Sequence, residues 1–156
     1  MMFEPNDKYF MELALAEAER AAVEGEVPVG CVIVLENMVI GKGHNRTEAL
    51  CDPTAHAEIL AITAAANHLE TWRLDNCIAY CTLEPCAMCS GALVLARVKR
   101  LVFGVKDPKF GACMSLYNIV QDIRLNHQLE VIPGILEDRV GELMKSFFKT
   151  VRSNKC

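Results

Sequence analysis

Two short motifs in this chain combine residue types that bind a metal with a residue type that moves protons. The first is His56-Ala57-Glu58, and the second, after 26 intervening residues, is Pro85-Cys86-Ala87-Met88-Cys89. One imidazole and two thiolates give a zinc ion three protein ligands, and catalytic zinc sites keep the fourth position for water or substrate. Glu58 follows the histidine closely enough to exchange a proton with that water. The residues therefore predict metal-assisted hydrolysis.

Each motif on its own permits an ordinary structural interpretation. A Cys-x-x-Cys pair is often a redox pair or half of a structural zinc site, and a lone His-x-Glu is weaker still. A structural site would need a fourth ligand, for which Cys51 or Cys81 is available, but it would leave Glu58 without a role. We therefore favour a catalytic site with one zinc ion per chain. Its ligands are His56, Cys86 and Cys89, and its acid/base group is Glu58.

Both motifs are predicted to stand in the first turn of a helix. Thr54 is a plausible N-cap for an alanine-rich helix that runs from about residue 55 to residue 68. Pro85 suits the first position of a second helix, which ends near residue 96. Helix N-termini carry partial positive charge and unpaired N–H groups, which lower the pKa of a thiol and favour cysteine as a ligand.

The other predicted elements alternate with these two helices. Asn6-Asp7 begins a first helix that Gly25 stops, and a hairpin follows around Glu36-Asn37. Pro133-Gly134 leads into a terminal helix with an apolar stripe. The predicted strands are residues 27–35, 38–43, 77–82, 101–105 and 128–132. This order predicts an α/β fold, a three-layer α/β/α arrangement with a mixed five-stranded sheet, in a single domain spanning residues 1–156.

The charge of the chain is unevenly distributed. Residues 1–75 carry 13 acidic and 5 basic side chains, whereas residues 76–156 carry 7 acidic and 11 basic ones. A locally basic surface on a protein of net charge −4 suits a polyanionic partner, although ordinary scatter also produces such an imbalance.

The composition favours a cytoplasmic protein without a membrane segment. No apolar run approaches the roughly 20 residues of a membrane helix, and the opening residues from Met1 to Asp7 lack the pattern of a secretory leader. Six of the eight cysteines are scattered, and we expect them to be reduced thiols. They are Cys31, Cys51, Cys77, Cys81, Cys113 and Cys156.

The sequence resembles the cytidine-deaminase-like superfamily, and within it the bacterial tRNA adenosine deaminases that act at the wobble position. The His-x-Glu and Pro-Cys-x-x-Cys motifs are common to zinc-dependent nucleobase deaminases, including those that act on guanine or cytosine. The finer resemblance covers nearly the whole chain. It includes the stretches 27–30, 44–46, 52–58, 82–89, 102–109 and 125–127, and the Phe147-Phe148 tail. Met114 and Ile123 depart from the family pattern, which usually has glycine and proline there.

The resemblance implies conversion of adenosine to inosine in the anticodon loop of a tRNA. Water activated at the zinc would attack adenine C6, while Glu58 moves protons from that water to the base and the departing ammonia. Asn45 is expected to hydrogen-bond the flipped nucleotide, with the backbone around Ala57 and Leu83 holding the base. The residues expected to contact RNA are Asp107, Lys109, Phe148 and Arg152. A homodimer is also implied.

Other functions remain distinct alternatives. A deaminase of free guanine or cytosine would need no basic rim, and a zinc-stabilised binding module would need no Glu58. Taken without the resemblance, Asn45 also fits a turn after the hairpin, and the terminal helix also fits simple packing with a solvated basic face. The 106–109 stretch and the basic terminal helix favour the tRNA interpretation.

Overall fold

Four helices and five strands alternate along residues 4–155, the part of the chain that this computed structural model describes. The helices are α1 Asp7–Val23, α2 Ala57–Leu69, α3 Ala87–Leu95 and α4 Glu137–Ser153. The strands are β1 Gly30–Leu35, β2 Met38–His44, β3 Ile78–Leu83, β4 Arg100–Val105 and β5 Glu130–Pro133. The predicted order of elements is confirmed.

The five strands form one mixed sheet in the order β2-β1-β3-β4-β5. β1 pairs antiparallel with both β2 and β3, whereas β3, β4 and β5 run parallel. The hairpin turns at Glu36 and Asn37, whose φ angles of 48° and 63° are those of a two-residue turn that matches the twist of the strands. The carboxyl ends of β3 and β4 lie side by side, so the segments that follow them meet at one edge of the sheet.

Helices cover both faces of the sheet. Side chains such as Cys31, Ala79 and Phe103 point to a core shared with α2 and α3. Their strand neighbours Val32 and Val102 point to a second core, which contains the apolar side chains of α1. α4 adds Val140 to this second face through its first turn. The predicted three-layer α/β/α architecture is confirmed.

Two glycines on β2 allow α2 to pack close to the sheet. A Cβ at Gly43 would collide with the backbone oxygen of Ala57, and one at Gly41 would collide with that of Ala61. Both collisions are with backbone, which cannot turn aside, so α2 can lie at this depth only over glycine. The N-terminus of α2, with His56 and Glu58, is thereby placed against the end of the sheet.

A buried ion pair joins the start of α1 to the start of β4, at the end of the sheet away from His56 and Glu58. Arg100 donates two hydrogen bonds to the Asp7 carboxylate, at 2.7 and 2.9 Å, and Tyr80 donates a third at 2.9 Å. Asp7 and Arg100 are 1% and 2% exposed. Burial alone would raise the pKa of Asp7, but hydrogen bonds from Arg100, the Glu4 backbone and Tyr80 lower it below the ordinary 3.8.

Several predicted boundaries are wrong by a few residues. α2 is capped by His56, because Thr54 instead donates two hydrogen bonds to the Asp52 carboxylate. α3 begins at Ala87 after the N-cap Cys86, so Pro85 lies just outside it. β1 begins at Gly30, since residues 27–29 lie outside the ladder.

Every cysteine within residues 4–155 is free, as predicted for reduced thiols. Burial raises the pKa of Cys77 to about 11 and that of Cys113 to about 12. Cys156 and the first three residues, Met1 to Phe3, lie outside the described residues. Across residues 4–155, no helix is both long and apolar enough to cross a bilayer.

Candidate active site

The two motifs meet at the carboxyl edge of the sheet and bring three donor atoms together. His56 Nδ1 lies 3.6 Å from Cys86 Sγ and 3.5 Å from Cys89 Sγ. All three atoms lie within 4.8 Å of one another. A tetrahedral zinc ion with ordinary Zn–S and Zn–N bonds holds its ligand atoms roughly 3.5 Å apart. The donor types and their spacing therefore fit zinc.

The candidate fourth ligands lie elsewhere. Within residues 4–155, the metal-binding cluster contains His56, Cys86 and Cys89 alone. Cys81 Sγ instead lies 3.4 Å from Cys31 Sγ across the β1–β3 pair, and Cys51 is exposed and donates to the Glu48 carbonyl oxygen. Three ligands with no fourth at hand leave a coordination position open, which is the arrangement of a catalytic site.

Helix N-termini position the donors. His56 is the N-cap of α2 and Cys86 the N-cap of α3, and neither cap residue uses its side chain to close the helix. The imidazole and the thiol are therefore free for a ligand, while the partial positive charge of each helix start favours anionic sulfur. Cys89 follows in the first turn of α3 and is fully buried.

The two thiols shift each other's pKa in opposite directions. A hydrogen bond from Cys89 lowers the pKa of Cys86 to about 4, with a smaller contribution from His56. The same bond raises the pKa of Cys89 well above its usual range, and a bond with Cys86 raises the pKa of His56. The protein alone therefore favours a proton on Cys89 over one on Cys86, and it favours a proton on His56. A dication in place of these protons would let both sulfurs ionise, as metal binding to cysteine requires.

Glu58 is the buried acid beside this cluster. It is 4% exposed, and burial raises the pKa of its carboxyl group. It stands two residues beyond the N-cap His56 and interacts with the Cys89 thiol. Its carboxyl group therefore lies within reach of a small molecule held at the donors, which is the position of a general acid/base.

A cavity of about 820 Å³ opens above the cluster. Its floor includes His56, Glu58 and Cys86, and its walls include the predicted base-holding residues Ala57 and Leu83. Asn45 also lines it. The Asn45 amide nitrogen donates to the Val27 carbonyl oxygen at 3.3 Å, while the buried amide oxygen has no hydrogen-bond partner within the protein. Buried polar atoms nearly always form hydrogen bonds, so the unpaired Asn45 oxygen indicates a position where a ligand binds.

Basic and aromatic side chains form the rim of the cavity. The segment after β4 contributes one set, and α4 contributes the other. The first set is Lys106, Asp107, Lys109 and Phe110, and the second is Met144, Lys145 and Phe148. Phe147 lines a separate groove beside α1, so the adjacent phenylalanines face different sides, as the helical geometry predicts. Arg152 is exposed one turn further along α4 and does not line the cavity.

Comparison with known proteins identifies the family. Residues 4–105 match the model of the cytidine and deoxycytidylate deaminase zinc-binding region. The chain is 45% identical over 149 residues to a tRNA-specific adenosine deaminase of Bacillus subtilis, covering 96% of this chain and 92% of that protein. An Aquifex aeolicus protein of the same description is 48% identical over 147 residues, covering 94% and 97%. The chain belongs to the tRNA-specific adenosine deaminase family.

A solved structure of this family has the same fold. It comes from a study of A-to-I editing by tRNA:A34 deaminases at the wobble position of transfer RNA. The TM-score is 0.84 at 44% identity, with 86% of this chain and 98% of that chain covered. The recognised family and fold are therefore confirmed. The stretch that matches the zinc-binding region ends at Val105, so Asn45 and both motifs lie inside the match, whereas the rim segment and α4 lie outside it.

The sequence-based prediction missed two buried glutamates that hold segments beside the cavity. Glu84 follows β3 and accepts hydrogen bonds from Asp107 N, Met114 N and Ser115 N. Burial alone would raise its pKa, but these bonds and one from the Ser115 hydroxyl lower it. Glu26 accepts from Ala49 N at 2.7 Å in the segment after Asn45. For both residues, the one sign of such a role in the sequence was a glutamate directly beside an apolar stretch.

Proposed function

We propose that this chain hydrolyses adenosine to inosine at the wobble position of a tRNA anticodon, releasing ammonia, with one zinc ion held by His56, Cys86 and Cys89. The observation that carries the proposal is the donor cluster with a buried carboxyl group, Glu58, on the floor of a cavity with a basic, aromatic rim. The names of the relatives support the substrate. The entire chain would act as a single deaminase domain.

The reaction requires a nucleophile and proton transfer at adjacent positions. When bound, zinc would supply a Lewis acid that lowers the pKa of water towards neutrality. Glu58 would accept a proton from the water as its oxygen attacks adenine C6. It would pass this proton to ring nitrogen N1, and it would then carry a second proton from the new C6 hydroxyl group to the 6-amino group, which leaves as ammonia. The C6–N bond breaks as the C6–O bond is retained.

Asn45, Ala57 and Leu83 are proposed to hold the flipped base. The unpaired Asn45 oxygen would accept a hydrogen bond from the nucleotide, which would remove the cost of leaving that oxygen unsatisfied. Ala57 and Leu83 present backbone and apolar surface at the cavity wall. An unpaired anticodon loop allows a nucleotide to leave the stack more cheaply than a duplex does.

The rim is proposed to bind the rest of the anticodon loop. Lys109 would neutralise phosphate, Phe148 would stack a base, and Arg152 would extend the basic surface along α4. Asp107 lines the cavity, and we propose that it accepts a sugar hydroxyl. Its Oδ1 already accepts hydrogen bonds from Lys109 N and Phe110 N, so its other oxygen would serve the sugar.

A homodimer and a cytoplasmic location complete the proposal. Met88 and Leu95, seven residues apart on one side of α3, are 37% and 70% exposed, which suits burial against a second copy. The cytoplasm is where a tRNA substrate is available. Light scattering on the zinc-loaded protein tests the dimer, and a monomer at micromolar concentration would contradict it.

The substrate is tested with zinc-loaded protein and an anticodon stem-loop that carries adenosine at the wobble position. Parallel reactions contain free adenosine, guanine or cytosine, and inosine and ammonia are measured. We expect inosine from the stem-loop alone. Turnover of guanine or cytosine without the stem-loop reaction would instead support the alternative, a small-molecule deaminase of the same superfamily.

The metal centre is tested by X-ray absorption. The proposed ligand set predicts two sulfurs, one nitrogen and one oxygen around a single zinc ion per chain. Three or four sulfurs would identify a structural site and would remove the basis for catalysis.

A further inference from the structure

Glu84 is the most heavily hydrogen-bonded carboxylate in the described residues, and the proposed mechanism does not use it. Its side chain is 2% exposed. Oε1 accepts from the backbone N–H groups of Cys113, Met114 and Ser115 at 3.2, 2.7 and 2.8 Å. Oε2 accepts from Asp107 N at 2.9 Å and from the Ser115 hydroxyl. A carboxylate with this many donors is strongly held in one position.

These donors lie at the two ends of one segment, residues 107–115. Glu84 Oε2 binds the first residue of this segment, Asp107, and Glu84 Oε1 binds its last three residues. A single carboxylate therefore closes the segment into a loop. The tip contains Lys109 and Phe110, which are exposed and line the rim of the cavity. Within the tip, Gly111 N donates to the Asp107 carbonyl oxygen at 2.8 Å. We call residues 107–110 the rim turn.

Glu84 also joins this loop to the segment that carries a zinc ligand. Its backbone N–H donates to the Val105 carbonyl oxygen at 2.9 Å, which extends the β3–β4 pairing by one residue. Ala112 N donates to the Pro85 carbonyl oxygen at 2.9 Å, directly before Cys86. A Cβ at Gly111 would collide with the Glu84 carboxylate, so the loop can close this tightly only over glycine.

We propose that Glu84 is a positioning residue that sets the distance between the rim turn and the metal centre. This inference rests on the proposed function, because it assigns the rim turn to the anticodon loop. Without the carboxylate, four backbone N–H groups would lose their acceptor, the buried one of Cys113 among them, and the loop would regain hydrogen bonds by opening to water. The base could then still reach the zinc site, but the surface that orients the RNA would be mobile, and orientation contributes strongly to rate and affinity.

The test compares Glu84→Gln with the wild type on the wobble-adenosine stem-loop. Glutamine keeps the shape, but its NH₂ group cannot accept a hydrogen bond, so either orientation of the amide leaves backbone N–H groups of the loop without their acceptor. We expect KM to rise roughly tenfold, kcat to change by less than about threefold, and one zinc ion per chain to remain. Ser115→Ala removes one of the five hydrogen bonds and should give a smaller rise in KM.

Two measurements separate positioning from a general loss of stability. Asp7→Asn disturbs a buried carboxylate on the far side of the sheet, so it should lower Tm while leaving KM unchanged below the melting range. Trypsin cleavage after Lys106 and Lys109 reports directly on the rim turn, and it should accelerate in Glu84→Gln but not in Asp7→Asn.

Three results would overturn the inference: an unchanged KM in Glu84→Gln, unchanged trypsin cleavage, or loss of zinc from the variant. Loss of zinc would mean that Glu84 acts on the Cys86 segment instead. A wild-type protein inactive on the stem-loop would overturn the proposed function, and the trypsin comparison would still decide whether Glu84 holds the rim turn.

Discussion

Buried polar side chains in this protein differ in whether the protein itself satisfies them. Asp7 and Glu84 have complete sets of donors, whereas the Asn45 amide oxygen has none within the protein. Glu58 lies between these cases, since it is buried, accepts a hydrogen bond from its own backbone N–H and interacts more weakly with the Cys89 thiol. Side chains with full sets of partners stabilise structure, and those without are available to a ligand. This difference separates the supporting residues from the proposed catalytic ones.

Glu58→Gln is expected to abolish turnover while zinc stays bound. The amide cannot take a proton from water, and general acid/base groups contribute roughly 10²–10⁴-fold, with more when one group serves several transfers. Inosine formation and zinc content are measured on the same preparation. Activity near the wild-type level in a zinc-replete variant would exclude the acid/base role, and loss of zinc would make Glu58 a ligand.

At the scale of elements, the cavity rim is built from two separate pieces, the rim turn and α4. The salt dependence of RNA binding should distinguish its basic residues from the rest of the surface. Lys109→Ala should weaken stem-loop binding and reduce the slope of log K against log salt by roughly 0.7–0.9, since each neutralised phosphate releases counterions. Arg152→Ala should act likewise. Lys99→Ala, an equal charge change at the opposite end of β4, is the matched control and should leave both quantities unchanged.

Phe148→Ala should weaken binding in a different way. Loss of a stacked base costs roughly 1–3 kcal/mol, with little effect on the salt slope because no charge is removed. Phe147→Ala is the neighbouring comparison. Phe147 lines the groove beside α1 and meets the Phe148 ring edge to face, with centroids 5.4 Å apart, so its loss should weaken binding less than Phe148→Ala does. Fluorescence anisotropy at several salt concentrations measures both variants. Equal losses in the two would mean that α4 packing, and not stacking, is affected.

Features set by neighbouring residues could be predicted from the sequence, and features set by distant ones could not. The hairpin turn at Glu36-Asn37 depends on its own backbone preferences, and it was predicted correctly. The N-cap of α2 was wrong because Asp52 engages Thr54, a choice between two local hydrogen-bond patterns. The clamp of Glu84 on residues 107–115 joins groups 23–31 positions apart, and nothing in the local sequence specifies it.

At the scale of the whole molecule, two connections join elements that are distant in sequence: Asp7 and Arg100 join α1 to β4, and the proposed metal site joins α2 to α3. Asp7→Asn should lower the free energy of unfolding by roughly 3 kcal/mol at neutral pH, because it removes the buried carboxylate charge that pairs with the Arg100 guanidinium. The folded pKa of Asp7 lies below the unfolded value of 3.8. Its contribution is therefore complete above that value and is lost as the pH falls through the folded pKa.

Urea unfolding of wild type and Asp7→Asn at several pH values checks this expectation. The difference between the two should be constant near neutrality and should shrink below about pH 4. A difference that is independent of pH would indicate that lost packing, and not the charge, causes the destabilisation.

Zinc should stabilise the fold by joining the starts of α2 and α3. A ligand that binds only the folded state at 100 times its Kd adds about 2.7 kcal/mol. Chelation should therefore lower Tm, and added zinc should restore it. Cys86→Ser should abolish this response, whereas Cys51→Ser, at an exposed cysteine outside the cluster, should keep it. A zinc response that persists in Cys86→Ser would place the metal elsewhere.

The match to the zinc-binding region of the deaminase family ends at Val105, and the residues before and after this point have different proposed tasks. The donors and the acid/base group precede this residue, and the rim turn and α4 follow it. A change of substrate preference can thus arise by exchange of the last third of the chain while the chemistry stays intact. Chimeras with a junction after Val105 are the natural design, provided that the core residues of β5 and the partners of Glu84 are carried across together.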